Sequence, residues 1–353
     1  MLRITLVVSL ALSAACGDDA RITTSPGLDL GPAPDGAIPG GDGGPGVDAV
    51  PPPMSPLVDP ACLDGMYRET LPPVTADLSG LSWTGDVGAY VDGFLERRYP
   101  VGAALVRGGR TNTDFGQPCD ELFAGSPSSA DDMISRMGTI VHECGHLYDG
   151  ELSTFSENSY VVTDTLTLRC ERGDTTSRGG DTFARSRITG DEYAPLRPAC
   201  PEGTSGADCD FYAGTYLDGD PDDGTFDGGD QGFNMLLEEA YQYVNSLATG
   251  WALLDQRAPG FSNTSKDGIL TFLWYVERYL RMARLDYPAA YARLSGDPCW
   301  REAILTLWGR AWLYLEATEG LNGLTIHGPA IEALVMDTAL LEEIERIRAA
   351  HGC

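Results

Sequence analysis

From residue 231 to the C-terminus, apolar side chains recur every third or fourth position, the period of a helix with one buried face. Four segments carry it: "QGFNMLLEEAYQYVNSLATGWALLD", "GILTFLWYVERYLRMARLDY", "CWREAILTLWGRAWLYLEATEG" and "AIEALVMDTALLEEIERIRAAH". Each predicts a long helix, and the Trp- and Tyr-rich stripe of 272–315 predicts the core of a helical bundle. Earlier in the chain, Val87, Tyr90, Val91, Phe94 and Leu95 predict a helix within 85–99, and the apolar run "VGAALVRGG" after it predicts a short buried strand. A further helix is expected in "SPSSADDMISRMGTIVHECGHLYDG", with Ser126 as its cap, Pro127 in its first turn, and Asp131 and Asp132 at its positive end. The β-branched alternation of 158–170 and 181–189 predicts strands that pair with each other. No internal repeat is visible. The fold class expected is α+β: mostly helical, with a small β element and a C-terminal helical bundle.

The pattern fails at the N-terminal end. Residues 17–60 are rich in Gly, Pro and Asp without apolar periodicity, so they cannot bury enough surface to offset the entropy of ordering. They read as a flexible tether. Before them, "MLRITLVVSLALSAAC" has one arginine, an apolar run from Ile4 to Leu12, small residues and Cys16, the make-up of an export signal. The run is far shorter than the roughly 20 residues that cross a bilayer. "LSAAC" resembles the lipobox of bacterial lipoproteins, although Ser13 stands where the family usually has Leu. That resemblance implies lipidation of Cys16, a membrane contact through the lipid alone and, with Gly17 next, an outer-membrane or surface location. The organisation expected is a signal at 1–16, the tether at 17–60, the first part of a catalytic domain at 61–230 and its helical part at 231–353.

Composition narrows the function classes. With 24 basic and 52 acidic residues the formal net charge is −28, which repels phosphate backbones, so nucleic acid is discounted as a partner. Of nine cysteines, all but Cys16 form an even set in an exported chain, and disulfides are expected. Cys200 and Cys209 would close a short loop, and Cys299 with Cys353 could tie the C-terminus to a helix start. Cys62, Cys119, Cys144 and Cys170 leave three pairings open.

Two of the four histidines stand four apart in "HECGH", residues 142–146. On a helix turning about 100° per residue they share one face, a few ångströms apart, which suits a tetrahedral zinc ion. Glu143 projects beside them, close enough to polarise a metal-bound water. Met137, Ile140, Val141, Cys144, Leu147 and Tyr148 point the other way and predict a packing face. Cys144 therefore should not share the ion, and a disulfide from it would anchor the helix. Gly138 and Gly145 lie nearer the histidines and suggest close approach of substrate or backbone.

"HECGH" resembles the active-site helix of the zincin metallopeptidases, over this helix alone. The resemblance implies His142 and His146 as zinc ligands and Glu143 as general base. The third ligand decides the subclass. Metzincins continue to a glycine and a third histidine, but Asp149 and Leu152 hold those positions here. Aspzincins pair the helix with G-T-x-x-D, and "GTYLD" would offer Asp218. Gluzincins take a glutamate from a later helix, and "NMLLEEAYQYVNSLA" offers Glu238 and Glu239. Periodicity leaves both on the flanks of the buried stripe and does not choose between them. Glu239 is the ligand expected, with Glu238 and Asp218 as alternatives and Tyr243 as a supporting group or oxyanion donor.

"LDGDPDDGTFDGGD" (217–230) alternates aspartates with glycines as calcium loops do, without their full spacing, so Ca²⁺ is a second cofactor to consider beside Zn²⁺. His327 is a lone loop histidine and His351 a surface one. The function expected is an exported zinc metallopeptidase acting on a peptide or protein. The alternatives are a non-catalytic surface module that keeps the scaffold, and a zinc amidase acting on cell-wall peptide.

Overall fold

A computed structural model describes residues 57–66, 69–172, 185–201, 204–217, 231–257 and 262–353. Cys16, most of the expected tether, Asp218 and the acidic stretch 218–230 lie outside the described residues.

In chain order the helices are α1 (Leu63–Met66), α2 (Val87–Arg98), α3 (Pro100–Gly109), α4 (Cys119–Ala124) and α5 (Ala130–Leu152). Strands β1 (Glu157–Val161) and β2 (Thr167–Glu171) follow, then α6 (Ala213–Tyr216), α7 (Phe233–Ala252), α8 (Ser265–Asp286), α9 (Pro288–Gly296), α10 (Pro298–Ala317), α11 (Gly328–Val335) and α12 (Thr338–His351). The fold is α+β and mostly helical, as expected. Its one described sheet is the antiparallel pair β1–β2, running from Glu157 opposite Glu171 to Val161 opposite Thr167.

Three of the four expected long helices follow their apolar stripes as α7, α8 and α10; the fourth is broken at Met336–Asp337 into α11 and α12, because the Asp337 side chain caps the second by accepting from the Ala339 and Leu340 N–H groups. α7 packs against α5 on one side and against α8 and α10 on the others, and α12 lies on α8 and α10. Trp274, Trp300 and Trp308 are buried, so the aromatic stripe of 272–315 is core. α5 is capped by Ser129, whose Oγ accepts from the Asp132 N–H at 3.1 Å, while Asp132 Oδ2 accepts from the Ser128 N–H at 2.8 Å. The cap is thus three residues later than the expected Ser126, because Ser129 with Asp132 satisfies the free N–H groups from both sides.

Two other expectations are corrected. Residues 101–109 form α3, not a strand. A short apolar run has no period of its own, and Pro100 at the first helical position already sets a helical φ. Packing decides it: a Cβ on Gly109 would stand 2.4 Å from the Cys144 carbonyl oxygen, so α3 lies directly on α5 through its glycine face. The strand expected within 158–170 is a hairpin that pairs with itself. Of its expected partner, 181–184 lie outside the described residues and Arg185–Gly190 is a 3₁₀ turn, with Arg185 over the Tyr216 ring and Ile188 buried.

Four disulfides brace the chain: Cys62–Cys353, Cys119–Cys144, Cys170–Cys299 and Cys200–Cys209. Cys200–Cys209 is the short loop expected, and Cys119–Cys144 anchors α5 through the cysteine between its histidines. The expected Cys299–Cys353 bond is replaced. Cys299 opens α10 beside β2, with its Cα 5.4 Å from that of Cys170, and the C-terminal Cys353 lies 5.3 Å from Cys62. Such bonds belong to an oxidising, exported environment. Among the described residues no helix is long and apolar enough to cross a membrane.

Candidate metal centre

One turn of α5 separates His142 from His146, and their rings meet edge to face with centroids 4.7 Å apart. α7 runs alongside and presents Glu239 to both. Glu239 Oε2 stands 3.7 Å from His142 Nε2 and 3.5 Å from His146 Nε2. One atom from each of the three residues lies within 4.8 Å of the others, so the group could hold a metal ion.

The chemistry of the set fits a cation. Glu239 Oε2 is buried and makes no hydrogen bond, and both imidazole nitrogens lie farther from it than a hydrogen bond reaches. An ion among the three would supply the partner that buried oxygen lacks. Electrostatics points the same way. Burial pushes the His146 imidazole down, but the Glu238 and Glu239 carboxylates outweigh it and hold His146 well above the ordinary histidine range. Burial likewise pushes the Glu239 carboxyl up, and His146 and then His142 more than reverse it. A pocket that favours a proton on its imidazole this strongly also favours a positive ion.

The remaining nitrogens are held from behind. His146 Nδ1 is 2.6 Å from Glu238 Oε2, and His142 Nδ1 is 3.0 Å from Ser246 Oγ. When the Nδ1–H groups donate to these oxygens, both Nε2 lone pairs face Glu239. Of the two acids that periodicity left open, then, Glu239 faces the cluster. Glu238 backs His146 and is not a third ligand in this arrangement. The difference is one step of about 100° around α7. Asp218 lies outside the described residues.

Tyr243, one turn beyond Glu239, sets its ring edge-on to His142 at 4.9 Å and stacks on Phe272 at 4.8 Å. Its hydroxyl is 3.4 Å from that of Tyr216. Gly268 on α8 makes room for it, since a Cβ there would come within 2.2 Å of the Tyr243 ring. Glu143 is buried, as His142 and Glu239 are, at 1% exposure. The Gly145 expectation is corrected in kind: the group that approaches is a side chain, Gln242, whose Oε1 would lie 2.0 Å from an added Cβ. Gly138 has nothing within 4 Å of that position.

Sequence reading missed the residues behind the two histidines. Gln242 Nε2 donates to Asp149 Oδ2 at 2.9 Å and to Glu238 Oε1 at 3.0 Å, while Asp149 Oδ1 accepts from the Val161 N–H at 2.7 Å. Asp149 was notable in the sequence only for standing where a metzincin has glycine, yet it ties α5, α7 and β1 together. A signal was present. Glu238, Gln242, Asn245, Ser246 and Thr249 fall at helical spacing on α7, and all are buried. A polar line inside a buried helix must be matched by partners, and here the line leads to the histidines. The chain matches no protein-family model, no curated protein and no solved structure.

Proposed function

We propose that the chain is an exported, lipid-anchored zinc metallopeptidase of gluzincin-like build, hydrolysing a peptide bond of an extracellular or envelope protein. The observation that carries the reading is the convergence of His142, His146 and Glu239, two from an H-E-x-x-H turn and one from a later helix, within 4.8 Å. Two imidazoles and a carboxylate are a ligand set of catalytic zinc, which keeps its fourth position for water or substrate. Bound there, zinc would supply Lewis acidity, polarising a peptide carbonyl and lowering the pKa of a water towards neutrality. Glu143 would take a proton from the attacking water as the water oxygen bonds to the carbonyl carbon. It then returns the proton to the amide nitrogen, and the C–N bond breaks to give an amine and a carboxylate. Tyr243 donates its hydroxyl proton in a hydrogen bond to the carbonyl oxygen as negative charge develops on it. The lipid anchor is supported by Cys16 at the end of the signal and by the tether after it.

One observation favours a second reading. His142, Glu143 and Glu239 are each only 1% exposed, which suits a module that uses a metal to hold α5 against α7 and catalyses nothing. Elemental analysis of the purified chain, together with digestion of a peptide library, separates the two. The peptidase reading expects about one zinc per chain and cleavage products, and expects Glu143→Gln to retain the zinc while turnover disappears. Stoichiometric zinc without cleavage by the wild type favours the module. A chain that takes up no divalent ion refutes both.

A further inference from the structure

Two buried carboxyl groups of α8 stand at the two ends of α11, and only one of them is satisfied. Asp267, in the first turn of α8, accepts from the Ile326 N–H at 3.0 Å, the His327 N–H at 2.9 Å and the Thr325 hydroxyl, which fixes the turn leading into α11. From Asp267 to Glu277 α8 rises about 15 Å, and from Gly328 to Asp337 the chain of α11 covers nearly the same length. The two helices pack side by side, and Asp337, just past the end of α11, acts on Glu277. Glu277 is fully buried, and neither of its oxygens makes a hydrogen bond.

A buried carboxyl without partners is tolerated as the neutral acid and costly as the anion. Among the described residues no cation pairs with Glu277. On its own helix Arg278, Arg281 and Arg284 are held by Asp191, Glu192 and Glu343. Of the elements packed on α8, α9 brings Arg293, which faces Glu171, and α10 brings Arg310, which faces Glu69. From the 3₁₀ turn, Arg185 lies over Tyr216 and Arg187 acts on Tyr279. The charged groups of α7 are Glu238 and Glu239 at the metal centre, and that of α11 is Glu332. On α12, Arg346 lies against Glu342 and Arg348 against Asp64. The charge that reaches Glu277 is that of Asp337, and it has the same sign. Burial first, then Asp337, push the Glu277 carboxyl well above the usual range.

Little else holds this end of α11. Its buried side chains beyond Gly328 are Ile331 and Val335 alone, and the chain breaks at Met336–Asp337 before α12. α12 is held independently, by Cys62–Cys353 and by Arg348 on Asp64.

We propose that α11 is a pH-operated flap: it lies closed along α8 while Glu277 is protonated, and its C-terminal end lifts about the pinned turn when Glu277 ionises. The inference goes beyond the metal site and does not depend on it. In the lifted form Glu277 meets water and titrates near the ordinary glutamate value of about 4.3. Below that value both forms hold the proton, and the closed form is at its most stable. As pH rises above it, the lifted form gains on the closed one by up to about tenfold per pH unit, until the raised value of the closed form is passed. The pinned turn adjoins Gly268, against which the Tyr243 ring rests, so the flap hinges beside the candidate metal centre.

Hydrogen exchange of the full chain, read by mass spectrometry and corrected for the intrinsic exchange rate, measures the lifting. Peptides covering α11 are compared with peptides from the middle of α10, in wild type and in Glu277→Gln, which keeps the shape without the charge. In the wild type, protection of α11 should fall by about tenfold or more between about pH 5 and about pH 8. At the upper pH it should lie well below that of α10, as a local opening requires. In Glu277→Gln the protection of α11 should stay level across the range. Three results overturn the proposal: level protection of α11 in the wild type, protection of α11 equal to that of α10 throughout, or the same fall in Glu277→Gln. Should Glu277→Gln not fold, Glu277→Met, which has neither charge nor polar group to satisfy, is held to the same outcomes.

Discussion

Replacing Gly145 by alanine sets two effects of opposite sign against each other. Alanine is the better helix former, by about 1 kcal/mol per residue. On α5 alone the change would stabilise. But a Cβ at this position stands 2.0 Å from Gln242 Oε1 and 2.7 Å from its Cδ, well inside the roughly 3.5 Å at which carbon atoms meet comfortably. The Gln242 amide has to move, and all three of its hydrogen bonds go with it: from Asn245 Nδ2 at 2.8 Å, to Asp149 Oδ2 at 2.9 Å and to Glu238 Oε1 at 3.0 Å. A neutral buried hydrogen bond contributes about 1 kcal/mol and one to a charged group about 1.5–3, so the three are together worth roughly 4–7 kcal/mol. After the helix-propensity gain and some relaxation of α7, Gly145→Ala should lose about 2–4 kcal/mol. For a chain of this size that lowers the thermal midpoint by roughly 5–10 °C. Denaturant unfolding of the zinc-free protein, followed by circular dichroism, measures it directly. An alanine variant as stable as wild type, or more so, would show that Gln242 does not occupy the space against Gly145, and the account of the residues behind His146 would fail with it.

Two further outcomes follow from the fold. Cys119–Cys144 joins residues 25 apart in sequence, so the paired Cys119→Ser and Cys144→Ser variant should lose about 3–4 kcal/mol in thermal unfolding; a loss below about 1 kcal/mol would mean that packing alone holds α4 to α5. Glu277 on α8 is fully buried, neither carboxyl oxygen makes a hydrogen bond, and burial first, then the Asp337 charge, push its carboxyl well above the usual range. Because the folded-state value is the raised one, the fold favours the neutral acid, and stability falls as pH climbs from the ordinary glutamate value of about 4.3 towards the raised one. The stability of Glu277→Gln relative to wild type should therefore increase from about pH 5 to about pH 8, and a flat difference across that window would refute a strained buried carboxyl.

The H-E-x-x-H pair was legible in the sequence because it is local. Four residues on a helix return to one face whatever packs around them, so His142 and His146 could be placed together from spacing alone. The same holds for α7, α8 and α10, whose apolar stripes are read turn by turn, whereas the break between α11 and α12 at Asp337 was not read. Even the cap of α5 was legible to within three residues: Ser126 was expected and Ser129 caps, a choice that depended on where Asp132 turned. Residues 101–109 were not legible: an apolar run too short to show a period took its helical form from contact with α5.

What the sequence determined by itself was a mostly helical chain with an even set of cysteines beside Cys16 and one turn bearing two histidines. Only the tertiary structure decided that Glu239 stands near the Nε2 atoms of both histidines while its neighbour Glu238 backs His146 at Nδ1, that Cys299 meets Cys170, and that Gln242 and Asp149 stand behind Glu238. Each of these turns on how one element is rotated against another, between residues such as His146 and Glu238 that lie 92 positions apart. Helical period fixes angles within a helix and says nothing of the angle between two. That angle comes from packing, and here it was set in part by the absence of a side chain at Gly145.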